Sequence, residues 1–241
     1  MSASSGNSHF ATTQWSLVLH AGQPARGESR AALATLCERY WLPIYAYARR
    51  RLGDATQAQD LTQEFFARVL EKGTLEAASP ERGRFRSFML VAMKNFLASQ
   101  WQKDQAVKRG GGCRELSLDF ESGESKLRLE PWHELTPERL FDRQWTLQLL
   151  EVVMQRLQRE AVAAGKSQQF EVLKLLLAGP HDGVDYATAS ADLQLSQEAT
   201  RQAASRLRKR YRELLREEVS QTVAGDEEID DELRGLLASL G

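Results

Sequence analysis

Residues 186–216 read YATASADLQLSQEATRQAASRLRKRYRELLR, a pattern that predicts a helix-turn-helix. Leu193 and Leu195 lie at the predicted turn and are expected to face the core. Ser196 is a good N-cap for a second helix that begins at Gln197. The basic residues of the stretch all lie on this second helix: Arg201, Arg206, Arg208, Lys209, Arg210, Arg212 and Arg216.

The positive charge of this helix is a local feature, because the whole chain of 241 residues carries a net charge of −1. Clustered Arg and Lys on the second helix of a helix-turn-helix indicate a nucleic-acid-binding surface. The physical reason is that each phosphate neutralised by a basic side chain releases condensed counterions from the duplex. The alternative is that these residues form only the solvated end of a charged helix.

The composition limits the classes to which the protein can belong. The chain has room for one large or two small domains, and 42% of its residues are hydrophobic. It has no apolar run near the roughly 20 residues that span a membrane, and its first residues lack the pattern of a secretion signal. Two cysteines, Cys37 and Cys113, are too few for a disulfide framework or a zinc site. We therefore expect a cytoplasmic protein with no metal, no cofactor and no catalytic activity.

Apolar residues recur at helical spacing along most of the chain, and strand patterns are almost absent, so we expect an all-α protein. Asp54 is predicted to cap a helix that carries Leu61, Phe65, Val69 and Leu70 on one side. Four further helical faces are predicted: Leu33, Leu36, Cys37, Tyr40, Ile44 and Tyr47; Phe88, Val91, Ala92, Asn95 and Phe96; Trp145, Leu149, Val152, Val153 and Leu157; and Phe170, Leu173, Leu176 and Leu177.

These helices predict two small helical domains joined by a flexible linker. The expected divisions are an N-terminal extension (1–28), a first helical domain (29–109), a linker that opens with three glycines (110–136), the helix-turn-helix domain (137–220) and a C-terminal tail (221–241). The tail combines an apolar stripe with an acidic run: Ile229, Leu233, Leu236, Leu237 and Leu240, and Asp226, Glu227, Glu228, Asp230, Asp231 and Glu232. It either competes with DNA for the basic helix or only raises solubility.

The segment 82–109 alternates basic and aromatic side chains, a combination that suits single-stranded DNA. Cations follow the backbone, and flat apolar rings accept stacked bases. The alternative is that the aromatic residues belong to the core. That alternative is favoured for Phe88 and Phe96, while Trp101 fits either interpretation.

Three segments carry a resemblance to a known family: RLGDATQAQDLTQEFFARVL at 51–70, RGRFRSFMLVAMKNFLASQWQKDQAVKRGGG at 82–112 and YATASADLQLSQEATRQAASRLRKRYRELL at 186–215. In this order and spacing they resemble the extracytoplasmic-function (ECF) group of the sigma-70 family, the promoter-recognition subunits of bacterial RNA polymerase. The resemblance covers about residues 12–220. It implies a sigma region 2 bundle in the first domain and a sigma region 4 helix-turn-helix in the second, with no enzymatic activity.

The resemblance also implies partners and sites. Core RNA polymerase would be bound through its β′ clamp helices and its β flap, and promoter DNA at the −10 and −35 elements. The loop at 74–83 would hold a flipped −10 base. Candidate polymerase-binding residues are Thr56, Gln57, Gln59, Asp60, Gln63, Glu64 and Phe65. Candidate −10 residues are Arg84, Arg86, Lys94, Asn95, Trp101, Lys108 and Arg109. Candidate −35 residues are Gln197, Glu198, Thr200, Arg201, Arg206, Arg208, Lys209 and Arg210.

One departure from the ECF pattern suggests regulation. Typical ECF factors read Asp-Ala-Glu-Asp where this chain reads Gln57-Ala-Gln59-Asp60, so two acids of the polymerase-binding face are replaced by amides. Thr56 lies beside this gap at the predicted start of a helix, where phosphate would supply about −1.5 to −2 charges. The departure is similar to that of ECF factors switched by a Ser/Thr protein kinase. Alternatively, Thr56 is a neutral first-turn residue.

A second function stays open from the residues alone. A stand-alone helix-turn-helix regulator would bind operators without polymerase, usually as a symmetric dimer. Such a regulator would not need the aromatic and basic segment at 82–109.

Overall fold

The computed structural model describes residues 27–71, 84–104, 118–128, 134–178 and 185–241, and of residues 27–33, 70–71 and 102–104 it describes the backbone alone. Within these ranges the chain is helical and forms no strand, as the sequence predicts. The helices are α1 (Gly27–Leu52), α2 (Ala55–Glu71), α3 (Phe85–Asp104), α4 (Phe120–Arg128), α5 (Pro137–Ala163), α6 (Ser167–Leu173), α7 (Tyr186–Leu193), α8 (Gln197–Ser220) and α9 (Ile229–Ala238). None of them is long and apolar enough to cross a membrane.

The junction between α1 and α2 follows from local chemistry. Gly53 adopts a φ of 79°, a left-handed conformation that costs glycine little, and its N–H donates to the Arg49 carbonyl at 3.1 Å. Asp54 then caps α2, because its Oδ1 accepts from the Gln57 N–H at 2.7 Å. The predicted N-cap is therefore confirmed, and Thr56 is the second residue of α2.

The described residues form two compact units. The first contains residues up to Thr146 together with Ser220–Gly241, and the second contains Leu147–Val219. The division differs from the expected one at 136/137, because the first turns of α5 pack within the first unit. The predicted tail also differs, since it is part of the first unit rather than a separate extension.

The predicted linker contains α4, which packs on α1. The Phe120 ring lies 5.7 Å from the Trp41 ring and 5.1 Å from the Tyr45 ring, both edge-on. Gly123 permits the close approach, since a Cβ at this position would lie 2.9 Å from the Trp41 ring. Leu127 is buried beside them. Residues 120–128 are therefore ordered structure within the segment that the sequence assigned to a linker.

Two predicted apolar faces need correction. On α3 the buried residues are Phe85, Arg86, Met89, Met93, Phe96, Leu97 and Gln100, whereas Val91 is 54% exposed and Asn95 is exposed. On α9 the buried residues are Ile229, Glu232 and Leu236, whereas Leu237 is 51% exposed. Both errors have one cause. A buried polar side chain, Arg86 on α3 and Glu232 on α9, shares the inward face of its helix. Each helix is therefore rotated by about one residue from the face that its apolar side chains indicate. The faces centred on Leu149 and on Phe170 are confirmed.

The burial of Arg86 and Glu232 explains the rotation of α9. The Arg86 Nε donates to Glu232 Oε1 at 2.6 Å, and its Nη2 donates to Oε2 at 3.0 Å. Arg86 also pairs with Asp142 on α5, whose pKa is raised by burial although the Arg86 charge opposes the rise. The two hydrogen bonds between Arg86 and Glu232 join α3 to α9, and the pair with Asp142 joins α3 to α5. Together they fix the three helices relative to one another within the first unit.

We predict that Arg86→Ala unfolds the first unit more easily, by about 3–5 kcal/mol, because it leaves the Glu232 carboxylate buried without its main partner. Urea denaturation of the full chain measures the change. Arg234→Ala is the matched control, because Arg234 pairs with Asp231 on the same helix but both side chains are largely exposed. A loss of stability for Arg234→Ala equal to that for Arg86→Ala would contradict this account.

Candidate nucleic-acid interface

The helix-turn-helix in the second unit is built by two side-chain caps and one left-handed residue. Asp185 caps α7, accepting from the Thr188 N–H at 2.8 Å, and Ser196 caps α8, accepting from the Ala199 N–H at 3.2 Å. Between the helices Gln194 adopts a φ of 53°. The predicted cap at Ser196 is thus confirmed. Leu193 packs against the core, but Leu195 is 39% exposed, contrary to the expectation that both face inward.

The core below the turn is small and apolar. It consists of Leu173, Leu176, Ala189, Ala203 and Ala204, with Val172, Tyr186, Leu193 and Leu207 packed at its edge. Small alanines on α7 and α8 let the two helix backbones approach closely. The residues of α8 that pack into this core define its inward face, and the remaining residues form its outward face.

Thr200 belongs to that inward face, which corrects its assignment to DNA. Its side chain is fully buried, its Oγ1 donates to the Ser196 carbonyl at 3.0 Å, and the Ser190 hydroxyl lies 3.0 Å from it. The hydroxyl joins α7 to the start of α8 and does not reach a base. The sequence pattern did not reveal this, because a threonine in the first turn is compatible with either face.

Arg208 and Arg210 are also engaged within the second unit. Arg208 donates to the Leu176 carbonyl at 2.9 Å and to the Tyr186 hydroxyl at 3.0 Å. Arg210 pairs with Glu160 at 2.8 Å, and the bound carboxylates raise its pKa. Arg208 fixes α8 to the first helix of the motif, and Arg210 fixes it to α5. Both −35 candidates therefore also hold α8 within the second unit.

The remaining candidates share the exposed face of α8. Gln197, Glu198, Arg201, Arg206 and Lys209 are all exposed, and the Arg201 guanidinium lies 5.6 Å from the centre of the Tyr186 ring. The first three lie in the first two turns, where a recognition helix meets base edges. Arg206 and Lys209 lie further along, where phosphates are expected.

Two exposed members of this face are absent from the candidate −35 residues, although Arg212 was counted in the basic helix. Gln202 is exposed and donates to Glu198 at 3.1 Å, which orients the Glu198 carboxylate. Arg212 is exposed one turn after Lys209. Helical spacing of three to four residues from Glu198 and Lys209 is the signal that could have found both.

In the first unit, the start of α2 presents an exposed polar surface. Thr56, Gln57 and Asp60 are exposed, Gln63 and Glu64 are half-buried, and Glu64 pairs with Arg68 one turn on. Phe65 does not belong to this surface. It is buried, with its ring 5.3 Å from the Phe66 ring and 5.7 Å from the Phe96 ring. Its assignment to polymerase binding is therefore corrected to the core.

Gln59 faces a groove between α2 and α4. Its side chain lies beside the Tyr45 phenol and opposes the rise of that group's pKa, and the phenol donates to Glu124 Oε1 at 2.5 Å. The Arg49 Nε donates to the same oxygen at 2.9 Å. The groove has a volume of about 630 Å³ and is lined in part by Gln59, Phe120 and Glu124. Gln59 therefore has a partner within the first unit, unlike the more exposed Gln57.

The candidate −10 residues divide between two environments. Lys94, Asn95 and Trp101 lie on the exposed face of α3, where Trp101 is 44% exposed. The Arg51 guanidinium lies 5.2 Å from the centre of the Trp101 ring, and Lys94 pairs with Glu138 at 2.9 Å. Val91 adds a second exposed apolar side chain on this face. The face thus combines cations with flat and apolar surface.

Two other candidate −10 residues, Arg86 and Arg84, are not on this face. Arg86 is buried in the ion pair with Glu232, so its assignment to DNA is corrected to a structural role. Arg84 lies 2.8 Å from Glu232 at the start of α3. Lys108, Arg109 and the loop at 74–83 lie outside the described residues.

Two further observations concern metal-ligating and nucleophilic side chains among the described residues. No three His, Cys, Asp or Glu residues among them are arranged to hold a metal ion. Cys37 is buried, and burial raises the pKa of its thiol to about 11, so the reactive thiolate is scarce.

A known protein family matches part of the first unit. Residues 36–107 match the model of Sigma-70 region 2, a range that runs from the middle of α1 to just beyond α3 and spans fewer than a third of the residues. Over this range the chain is therefore similar to the Sigma-70 region 2 domain. Searches of the curated proteins and of the solved structures gave no significant match.

We predict that Arg206→Ala and Arg208→Ala weaken duplex DNA binding for different reasons. Arg206→Ala should reduce the slope of log affinity against log salt by about one unit and leave thermal unfolding unchanged, since its side chain is exposed. Arg208→Ala should lower stability by about 1–3 kcal/mol, because it removes two hydrogen bonds that hold α8. Fluorescence anisotropy at several salt concentrations and calorimetry measure the two effects. The opposite pattern would show that the two roles are assigned the wrong way round.

We predict that Trp101→Ala weakens binding of a single-stranded oligonucleotide by about 1–3 kcal/mol, the contribution of one stacked base, with little change in stability. Phe96→Ala is the matched comparison on the buried face of the same helix and should cost about 3–5 kcal/mol of unfolding free energy. Anisotropy titration and urea denaturation separate the two. Unchanged oligonucleotide affinity for Trp101→Ala would remove α3 as the stacking surface.

Proposed function

We propose that this chain is an ECF-type sigma factor that directs promoter-specific transcription initiation in the cytoplasm and is activated by phosphorylation of Thr56. The observation that carries the proposal is the match of residues 36–107 to sigma-70 region 2. That segment contains both the exposed start of α2 and the exposed aromatic and basic face of α3. The helix-turn-helix of the second unit supplies a separate basic helix for duplex DNA.

Polymerase binding is proposed for the first turns of α2. Thr56, Gln57 and Asp60 are exposed there, and the capped helix start holds them on one rigid element. Their partner would be the basic surface of the β′ clamp helices. With amides at Gln57 and Gln59, Asp60 is the acid that remains in the stretch 57–60.

Phosphorylation of Thr56 would restore the missing charge at this surface. A phosphate adds about −1.5 to −2 charges. The second residue of a helix is a favourable place for it, because N–H groups in the first turn lack intrahelical acceptors and the helix dipole is positive there. Thr56 is exposed, so a Ser/Thr protein kinase has access to its hydroxyl.

Promoter DNA would be held at two places. Lys94, Asn95 and Trp101 supply one cation, one amide and one ring for the single-stranded −10 region. On α8, Gln197, Glu198 and Arg201 face base edges of the −35 element, where Glu198 accepts from cytosine N4. Arg206 and Lys209 contact phosphates, which position the helix without specifying sequence.

Reconstitution with core RNA polymerase tests the sigma function. The wild type, its Thr56-phosphorylated form and Thr56→Glu are mixed with core enzyme, and transcription is measured on fragments of the source genome. Association with core enzyme and discrete transcripts are expected from the phosphorylated form. If no form associates with core enzyme, yet the chain binds duplex DNA as a symmetric dimer, it is a stand-alone regulator instead.

We predict that Thr56→Ala abolishes promoter-specific transcription in cells and that Thr56→Glu retains part of it, because a carboxylate has less charge and fewer acceptor oxygens than phosphate. Two charge-assisted contacts of about 1.5–3 kcal/mol each would change affinity for core enzyme by two or more orders of magnitude. Pull-down with core enzyme and a reporter assay measure both effects. An alanine variant that transcribes as well as wild type after stimulation would refute the switch but leave the sigma function intact.

The two neighbouring glutamines provide a matched pair for the same test. Gln57→Asp places a carboxylate on the exposed surface beside Thr56 and should bypass the need for phosphate. Gln59→Glu should not, because Gln59 is half-buried beside the Tyr45 phenol, which already donates to Glu124. A second carboxylate there faces an acid across the groove. Equal bypass by both variants would show that the charge of the surface matters but its position does not.

A further inference from the structure

The C-terminal segment supplies the counter-ion for two arginines that the sequence assigned to DNA. Glu232 lies on α9, and its side chain is fully buried. Its Oε1 accepts from the Arg86 Nε at 2.6 Å, and its Oε2 lies 2.8 Å from Nη1 of Arg84. Carboxylate oxygens thus occupy the positions around these guanidinium groups that phosphate oxygens of DNA would occupy.

The two arginines differ in how firmly they are held. Arg86 is buried and pairs with Asp142 as well as Glu232, so two elements of the first unit hold it. Arg84 lies one residue before α3 with 32% of its side chain exposed, and Glu232 is its partner. Once α9 and Glu232 move away, Arg84 is therefore the arginine that a DNA phosphate can reach, while Arg86 keeps Asp142 as its partner.

The C-terminal segment, residues 220–241, is attached to the rest of the first unit through contacts that single substitutions can remove. Ile229 and Leu236 are buried, the Arg143 guanidinium donates to the Leu240 carbonyl, and the Thr146 and Ser239 hydroxyl oxygens are 3.0 Å apart. The neighbouring acid Asp231 points away, since it is exposed and pairs with Arg234 on the same helix. Glu232 alone among the acids of the segment is buried.

We propose that residues 220–241 form an autoinhibitory strap, in which Glu232 occupies Arg84 in place of a DNA phosphate. Single-stranded DNA engages the start of α3 when α9 moves away, so the apparent affinity is the intrinsic affinity reduced by the fraction of open molecules. The proposal rests on the proposed function in one respect, namely that α3 is the surface for single-stranded DNA.

Two charge-neutralising variants of the full chain test the strap. Glu232→Gln removes the charge that competes with phosphate, and Asp231→Asn removes one charge from the exposed side of the same helix. The probe is a fluorescein-labelled single-stranded oligonucleotide of mixed sequence, measured by anisotropy, with its duplex as the second probe. Glu232→Gln should bind the single strand about tenfold more tightly, the change expected for one charge-assisted contact, while Asp231→Asn should bind like wild type.

Each other outcome of this comparison overturns the proposal. If both variants gain the same affinity for the single strand, the effect depends on the net charge of the chain and not on the position of Glu232. A gain for the duplex alone would show that the segment covers the basic helix α8 and not Arg84. A lower melting temperature for Glu232→Gln without tighter DNA binding would leave Glu232 as a structural residue only.

A reversible lock gives an independent measurement that does not depend on the stability of Glu232→Gln. Thr146→Cys and Ser239→Cys, made in a Cys113→Ser background, place two thiols where two hydroxyls are now 3.0 Å apart. Cys37 stays in place because it is buried. The oxidised form should bind the single-stranded probe more weakly than the reduced form, and a reductant should restore binding. Equal affinity in both forms would refute the strap.

The binding assay separates this proposal from the sigma function, because it uses the free chain without polymerase. If the variants behave as expected but no form of the chain associates with core enzyme, the strap stands and the sigma proposal fails. If reconstituted transcription succeeds while oxidised and reduced forms open promoters equally well, the sigma function stands and the strap is refuted.

Discussion

The buried ion pair between Arg86 and Glu232 is the constraint on which the first unit depends. It joins residues 146 positions apart in the chain, and it places one full negative charge in the interior. A charge can remain there only with a partner of opposite sign and good geometry, which the two hydrogen bonds from Arg86 provide. The end of the chain and the start of α3 are therefore parts of one folded unit, although they are far apart in sequence.

This constraint also divides the faces of α3. With Arg86 turned inward beside Phe85, Met89 and Met93, the opposite face carries Lys94, Asn95 and Trp101 outward. The basic residues of the segment thus split into a structural set near its start and a DNA-binding set along its outer face. A similar division occurs on α8, where Arg208 and Arg210 bind within the second unit while Arg206 and Lys209 remain exposed.

The proposed regulation places two controls on one unit. Phosphate at Thr56 would act on the polymerase-binding surface at the start of α2, and the strap would act on DNA access at the start of α3. Both are local changes of charge at a helix start, where unpaired N–H groups and the helix dipole favour anions. Such changes need no new fold, because each acts on a side chain that is already partly exposed.

Sequence by itself determined the features that depend on neighbouring residues. The helical periodicity, the caps at Asp54 and Ser196 and the position of the basic helix all follow from residues within one or two turns. The same local logic placed the exposed Thr56 at the second position of α2. These predictions held because capping and periodicity involve only a few consecutive residues.

Tertiary structure decided which side of each helix is buried wherever a polar residue joins the core. Thr200, Arg86 and Glu232 belong to residue types that usually lie at the surface. Each is nevertheless buried, because its polar group forms a hydrogen bond with a partner on another helix. Phe65 was assigned to a binding surface and lies in the core for a related reason, since the rings that pack on it include Phe96 of another helix. Partners separated by long stretches of chain leave no periodic signal, so only the packed structure shows whether a charged or aromatic side chain binds DNA or holds the fold together.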